Sequence, residues 1–378
     1  MKYLPALLLA VLALGACTDD VTGPSRADVA GFDGAEPAAS AVHLTVMTRN
    51  MYVGTDVDRA IETSDPNQIP FIVGELWELL LANDYGERAR AIAAEIAASR
   101  PHVVGLQEVS LFRTQTPADF QLNATDVAID FIPTLLGELA ALGAAYELAV
   151  QVQATDVELP RLNPDFTLTD VRLTDFDAII VRSDVEVTGI DAATYDAFVP
   201  GPGGIQILRG WTSVDVELRG ESFRIVNTHL EPVETAGGVF QAQQADELVA
   251  LLAGESRPTV LLGDLNTEAG SGATYRQLAG EGFIDAWELR EGPPASGFTC
   301  CHATDLSSDA EQLHKRIDHV MVRNFEALWP SSGPIPVRAE IVGDEPADKT
   351  ASGLWPSDHA GMVVRNLLPN PGMAGGEE

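Results

Sequence analysis

The side chains best suited to chemistry in this chain stand where short apolar runs stop. Thr259-Val260-Leu261-Leu262-Gly263 leads into Asp264 and Asn266. A run closed by glycine reads as a buried strand meeting a turn, and residues two apart at its C-terminal edge point to the same side. Asp264 and Asn266 thus offer an acceptor and a donor to one spot, or else close an Asx turn on nearby backbone. Such groups recur at Asn50, at Glu108, at Asn227 with His229, at Asp318, and at Asp358 with His359. Carboxylates, carboxamides and imidazoles converge if these strands share one edge of packed sheets, because sites form where such strands end. Any one of these groups is readily a turn residue; the whole set is not.

Positioning them takes a regular alternation of strands and helices. Leu44 to Thr48 alternates apolar and polar and delivers Arg49 and Asn50. Residues 52–86 read as a surface insertion with a helical patch near Phe71 to Leu81. Ala89, Ile92, Ala93, Ile96 and Ala97 form one helical stripe, with Pro101 beyond its end. Val103 to Leu106 is a buried strand terminating in Gln107-Glu108, and a helix from about Ile132 to Leu142 is stopped by Gly143. Leu148, Val150 and Val152 follow with period two, and the polar stretch from Thr155 to Thr174 is expected to be a substrate-side loop or a variable insertion. Ala178 to Val181 is a further central strand, with Val185 and Val187 in its hairpin partner. Residues 212–228 form a hairpin, and a helix from Val239 to Leu252 crosses back to the run at 259. A short helix at 275–282 and strands at 317–322, 335–342 and 362–364 complete the body. No internal repeat or second linker breaks 43–366, so one domain is expected.

The N-terminus reads as a targeting segment. Lys2, the apolar core Leu4 to Leu14, and the small residues Gly15 and Ala16 before Cys17 make residues 1–17 a signal peptide. Cys17 in that setting resembles the lipobox of bacterial lipoproteins, which implies a chain exported and anchored to the cell envelope through lipid on Cys17; a plain secretory signal would leave it free. The apolar core is too short to span a membrane. Residues 18–42, rich in Ala, Gly, Pro, Asp and Ser, read as a flexible tether, and 367–378 as a disordered tail.

With 56 Asp and Glu against 23 Lys and Arg, the net charge is −33. Polyanion binding draws on counterion release by Lys and Arg, so this balance argues against tight nonspecific nucleic-acid binding while leaving room for a local basic patch. Besides Cys17, the cysteines are the neighbours Cys300 and Cys301. A bridge between adjacent residues, two buried thiols, and a bridge between chains all remain open. His302 alone supplies too few soft ligands for a metal role there.

Gln107-Glu108, Asn227-Thr228-His229-Leu230, Gly263-Asp264-Leu265-Asn266, Arg316-Ile317-Asp318 and Ser357-Asp358-His359 occur in this order. In that order they resemble the endonuclease/exonuclease/phosphatase superfamily, which contains deoxyribonuclease I-like nucleases, apurinic endonucleases, bacterial sphingomyelinases and inositol polyphosphate phosphatases. The resemblance spans Leu44 to Val364. It implies an α/β fold: a four-layer α/β/β/α sandwich of two packed mixed β-sheets flanked by helices. It also implies hydrolysis of a phosphoester, in which a hard divalent cation neutralises a nonbridging oxygen. Glu108 is then the principal metal ligand, with Asn50 and Asp358 in or near its shell, and oxygen ligation favours Mg²⁺ or Mn²⁺ over zinc.

The remaining roles follow from the same resemblance. His359 is the base toward the attacking water, and Asp318 fixes its tautomer. Asp264 orients the water or assists its deprotonation, Asn266 holds a phosphoryl oxygen, and His229 donates to a phosphoryl oxygen or the leaving group. The Asn-Thr-His-Leu setting of His229 is similar to deoxyribonuclease I-like and sphingomyelinase-like members and favours a phosphodiesterase over an abasic-site enzyme. The chain departs from the family pattern at Asp177 to Val181, which lacks the Asn or Tyr beside Gly that touches phosphate; Tyr52 or Arg182 are the substitutes considered. Trp329-Pro330 and Leu354-Trp355-Pro356 are candidates for membrane contact, with core edges the alternative. The expected partners are a phosphoester substrate and the membrane reached by the lipid anchor, and the body is expected to be monomeric. A secreted DNA endonuclease and a non-catalytic binding module on the same fold are the alternatives. Loops at 52–86, 155–174 and 294–314 are expected to set the substrate.

Overall fold

The computed structural model describes residues 43–367, apart from 62, 64, 202, 203, 219, 291, 293, 294, 327 and 330–336. The expected leader with Cys17, the tether and the tail beyond Leu367 lie outside the described residues. Strands β1 (Val46–Asn50), β2 (Val103–Gln115), β3 (Asp126–Asp130), β4 (Tyr146–Leu162) and β5 (Leu168–Arg182) come first. Then follow β6 (Glu186–Thr194), the short β7 (Val199–Pro200) and β8 (Gln206–Ile207), β9 (Gly210–Leu218), β10 (Glu221–His229) and β11 (Thr259–Asp264). The last are β12 (Ile284–Asp285), β13 (Asp318–Arg323), β14 (Arg338–Val342) and β15 (Gly361–Arg365). Helices are α1 (Asp58–Ile61), α2 (Ile69–Ala82), α3 (Tyr85–Ser99), α4 (Phe131–Ala141), α5 (Val239–Leu252), α6 (Ala273–Gly280) and α7 (Ala286–Leu289).

One sheet runs β14-β15-β1-β2-β5-β4, with β3 beside β2, and the other runs β12-β13-β11-β10-β9-β6. Both are mixed: β1 pairs β2 in parallel and β10 pairs β11 in parallel, while their other neighbours are antiparallel. Strict alternation along the strands builds three cores. Val46, Val103 and Ile179 of the first sheet meet Ile225, Val260 and Val320 of the second between the sheets. The intervening Met47, Val104 and Ile180 face outward under α2, α3 and α4. Val226, Leu261 and Met321 do the same under α5 and α6. Strands covered on both faces read as continuous apolar runs, which is why these were legible. The four layers α/β/β/α match the expected architecture.

Three elements differ from the sequence reading. Residues 155–174 are not a loop: β4 and β5 form a long hairpin whose turn is only 163–167, and its bulges shift the pairing between Gln153 and Asp156. Val185 and Val187 precede and begin β6, which pairs with β9 in the second sheet, because both edges of β5 are already occupied by β2 and β4. β2 does not stop at Glu108 but continues to Gln115 across an irregularity between Leu106 and Val109. Ordered packing also reaches Leu367, which is buried in the inter-sheet core.

Candidate active site

Parallel β1, β2, β10 and β11 bring their C-terminal ends to one edge, and antiparallel β13 and β15 begin there. The register places His229 opposite Asp264, Asp264 opposite Asp318, and Asn50 opposite Gln107. Gly263 makes the β10–β11 approach possible: its φ is 145°, and a Cβ there would collide with the Thr228 carbonyl oxygen. Glu108 sits in the irregularity of β2 with φ 56°, a bulge conformation that re-aims its carboxylate out of the ladder. Beneath the site, Gln107 Nε2 donates to Asn227 Oδ1 at 2.5 Å, and Asn227 Nδ2 donates to the Leu106 and Ala178 carbonyls, both at 3.1 Å. Asn227 therefore ties the two sheets together and is committed to structure.

The histidines and carboxylates form one connected array. His359 Nδ1 lies 2.8 Å from Asp318 Oδ2, leaving Nε2 directed toward Asp264 Oδ2 at 3.8 Å. The same Asp264 oxygen is 3.7 Å from His229 Nε2 and 3.2 Å from Asn50 Nδ2. Asn50 Nδ2 also donates to Glu108 Oε1 at 2.8 Å, and its Oδ1 accepts from Tyr52 N, so its amide positions the carboxylates. Asp264 Oδ1 accepts from Asn266 N at 2.9 Å, which is the Asx turn; Asn266 Nδ2 donates to the Leu230 carbonyl at 2.9 Å and the side chain lines the cleft. Asp358 lines the same cleft, with Oδ1 3.3 Å from Ser357 Oγ. From behind, Arg49 donates to the His359 carbonyl.

The sequence model of the Endonuclease/Exonuclease/phosphatase family matches residues 76–359. The chain belongs to this family. No curated protein matches it. Solved structures with the same fold include a family member from Leptotrichia buccalis, at 15% identity over 85% of this chain and 98% of that one, with a TM-score of 0.52. A family member from Bacteroides thetaiotaomicron is 18% identical over 86% and 97%, with a TM-score of 0.51. A mannosyl-6-phosphatase from the same organism is 18% identical over 85% and 98%, with a TM-score of 0.50. At these identities the likeness is one of fold. Membership of the family places the chain among phosphoester hydrolases.

Within that family setting the structure adds four residues that the sequence reading did not single out. Asp175 and Asp177 project from β5, Asp177 with Oδ1 3.9 Å from His229 Nδ1. Arg209 Nη1 lies 2.9 Å from His229 Nδ1 and 3.2 Å from its Nε2, and Arg209 Nε is 2.9 Å from Glu231 Oε2. Of the substitutes considered for phosphate contact, Tyr52 lines the cleft with its hydroxyl donated to the Thr304 carbonyl at 2.8 Å. Arg182 is excluded: it lies at the far end of β5, beside the start of β2, paired with Asp184 at 2.5 Å. Trp355 is fully buried and Trp329 packs against the inter-sheet core with Nε1 on the Leu367 carbonyl, so both are core residues.

The cleft concentrates negative charge. Burial, and then the charge of Glu108, pushes Asp175 up to about 7; burial and Asp175 raise Asp177 well above the usual carboxylate value. Burial and Asp318 lift Asp264 to about 7. Burial, reinforced by Glu108 against the opposing pull of His359, lifts Asp358 to about 6. Burial would lower His359, but Asp318, Asp264 and Asp358 outweigh it and hold the imidazole well above its ordinary value. His229 goes the other way, lowered by burial, Arg209 and His359, and is neutral near pH 7.

Those carboxylates fit a divalent cation. Both oxygens of buried Asp177 and Oδ1 of Asp318 have no hydrogen-bond partner. Ligand atoms of Glu108, His229 and Asp264 lie within 4.8 Å of one another, as do those of Asp264, Asp318 and His359. Like-charged carboxylates at such separations cannot all ionise without a counter-charge, and an oxygen-rich donor set suits a hard ion.

Proposed function

We propose that this chain is a divalent-metal-dependent phosphodiesterase of a small or lipid-derived phosphoester, acting outside the cytoplasm. The observation that carries the reading is the array Asp318–His359–Asp264–His229 facing Glu108 across one cleft. Glu108, with Asp358 and Asn50 beside it, would hold Mg²⁺ or Mn²⁺, which when bound neutralises charge on the phosphoryl oxygens. His359 Nε2 takes one proton from a water that attacks phosphorus in line with the leaving group, and the P–O bond to that group breaks as the new one forms. Asp318 keeps Nδ1 protonated so that Nε2 is the free base. Asp264, between the two imidazoles, fixes the water. Neutral His229, kept so by burial and Arg209, contributes an N–H donor from Nε2 to a phosphoryl or leaving-group oxygen, while Arg209 Nη1 donates to its Nδ1. Asn266 offers the remaining donor to phosphate.

The walls support a substrate with an apolar organic part. The cleft encloses about 500 Å³, and beyond the carboxylates it is lined by Val73, Trp77 and Leu80 of α2, Phe112 of β2, and Leu159 and Leu173 of the β4–β5 hairpin. Apolar walls reward burial of hydrocarbon at roughly 25 cal/mol per Å², while a net charge of −33 opposes a long polyanion. The test is hydrolysis of a chromogenic phosphodiester and the matching monoester with Mg²⁺, Mn²⁺ or chelator, beside His359→Ala. Diester cleavage that needs metal and is lost in the variant is expected. Activity that survives both chelator and the substitution would overturn the assignment.

A further inference from the structure

Next to the general base lies a second donor set of opposite chemical character. Cys300 and Cys301 are bonded to each other through sulfur, and Cys301 Sγ is 3.9 Å from His359 Nε2. This contact is built into the backbone: Cys300 pairs in antiparallel bridges with both Lys315 and His359. His302 N donates to the Asp358 carbonyl and Ala360 N to the Thr299 carbonyl, each at 2.8 Å, so the segment 299–302 is clamped along the strand start that carries Asp358 and His359. Cys300 is fully buried and Cys301 is half-buried. His302, the neighbour in sequence, is not part of the set; its ring stacks on Trp355 with centroids 4.1 Å apart. The soft partner of the cysteine pair is instead supplied from 58 positions away.

We propose that Cys300 and Cys301 in their dithiol form, together with His359 Nε2, make a binding site for a thiophilic divalent ion such as Zn²⁺ or Cd²⁺. The two sulfurs and the imidazole nitrogen lie within 4.8 Å of one another. Donors on one tetrahedral zinc, at about 2.3 Å for sulfur and about 2.0 Å for nitrogen, are separated by about 3.5 Å, so once the disulfide is opened, side-chain rotations that part the two sulfurs and draw in the imidazole complete the set. Thiolate and imidazole select soft or borderline ions, whereas the neighbouring carboxylates select hard ones. Opening the disulfide with a phosphine reductant gives two thiols and a phosphine oxide, the oxygen and two protons coming from water. Binding the ion then releases the two thiol protons and places the ion's charge on the nitrogen that would otherwise accept a proton from water. On the reading of His359 as base, occupation of this site silences hydrolysis in the reduced protein only.

The experiment uses the full chain, with Cys17→Ser as the background so that the pair supplies every thiol. After phosphine reduction and anaerobic desalting, Cd²⁺ is titrated while the thiolate-to-metal charge-transfer absorption is followed, with hydrolysis in excess Mg²⁺ measured on the same samples. One Cd²⁺ per chain is expected to build the charge-transfer band after reduction and no band is expected before it, with the band unmoved by Mg²⁺. Cys301→Ser abolishes the band, and His359→Gln weakens binding by at least about 10-fold, the smallest loss seen for partners outside the ligand shell; thermal melts confirm that both variants are folded. A reduced chain without the band, or a His359→Gln variant with unchanged affinity, overturns the site. A band that depends on Cys301 and His359 while hydrolysis continues establishes the site and removes His359 as the base.

Discussion

Asp318→Asn keeps the shape of the side chain and removes the charge that His359 Nδ1 faces at 2.8 Å. In the unsubstituted chain burial opposes protonation of His359, and Asp318 is the largest of the three carboxylates that reverse this. A base must be unprotonated before it can accept a proton, so kcat rises with pH along a limb lying above the ordinary imidazole value of about 6.5. Two unit charges about 4 Å apart at an effective dielectric of 20 interact by about 4 kcal/mol. That energy is an upper bound on the change, because Asp264 and Asp358 remain to favour the imidazolium. The limb of Asp318→Asn therefore moves to lower pH. Its plateau falls by about 10²- to 10⁴-fold, because an amide no longer imposes one tautomer. A pH–rate profile with the chromogenic diester at saturating Mg²⁺ reads both quantities. A limb that stays in place or moves to higher pH refutes the coupling, and an unchanged plateau refutes the positioning role.

Three further outcomes follow from the same cleft. Asp264 and Asp358 are pushed up to about 7 and about 6, so the metal-free fold favours their protonated forms and loses stability as pH rises from the unfolded carboxylate value through those points. Mg²⁺ at 100 times its Kd adds about 2.7 kcal/mol, and the thermal shift at a fixed Mg²⁺ concentration should be larger at pH 8 than at pH 5 and absent in Glu108→Gln; equal shifts at both pH values would count against metal binding at these carboxylates. Asp177→Asn, at a buried carboxylate with both oxygens unpartnered, raises the metal-free melting temperature and lowers kcat, and a variant that is more stable and equally active would make Asp177 a bystander. Trp77→Ala on the cleft wall raises KM by at least about 10-fold, or 1.4 kcal/mol, for a diester with a long acyl or aryl group; the same change with a methyl-sized group would show that the wall acts on folding instead.

How much of this was legible in the sequence differs by element for physical reasons. Runs such as Val103 to Leu106 and Val260 to Leu262 are buried on both faces, so composition alone marks them. The polar residues that follow them converge because the sheet edge is shared, and order along the chain was enough to anticipate that edge. Asp175 and Asp177 were not read as site residues because β5 mixes Leu168, Val171 and Leu173 with charged residues before Phe176, and its placement depends on bulges opposite β2 and β4 that leave no mark in the pattern. The two carboxylates do share the two-residue spacing of Asp264 and Asn266, which was the available signal. Arg209 lies in the irregular segment between β8 and β9, where no period exists to read. The approach of Cys301 to His359 is a tertiary contact of the kind that spacing never reports.

The distribution of the few cations explains how so acidic a cleft stays ordered. Arg88 is fully buried and donates to the carbonyls of Asn83 at 2.9 Å, Met51 at 2.8 Å and Pro356 at 3.1 Å, joining the segments that follow Asn50 and precede Asp358. Arg49, also fully buried, pairs with Glu95 at 3.0 Å while donating to the His359 carbonyl. A planar guanidinium with several fixed donors can hold separate chain segments in one geometry, which a lysine ammonium does less well. Both cations thus grip backbone behind the cleft and form no ion pair with Glu108, Asp264, Asp318 or Asp358. The arginine that does line the cleft, Arg209, is engaged by Glu231 and His229. Holding the backbone from behind keeps the acids close, under-neutralised and ready for a divalent ion. Burial leads the raised pKa values of Asp264 and Asp358, and Arg88, from behind, offsets only part of that of Asp358.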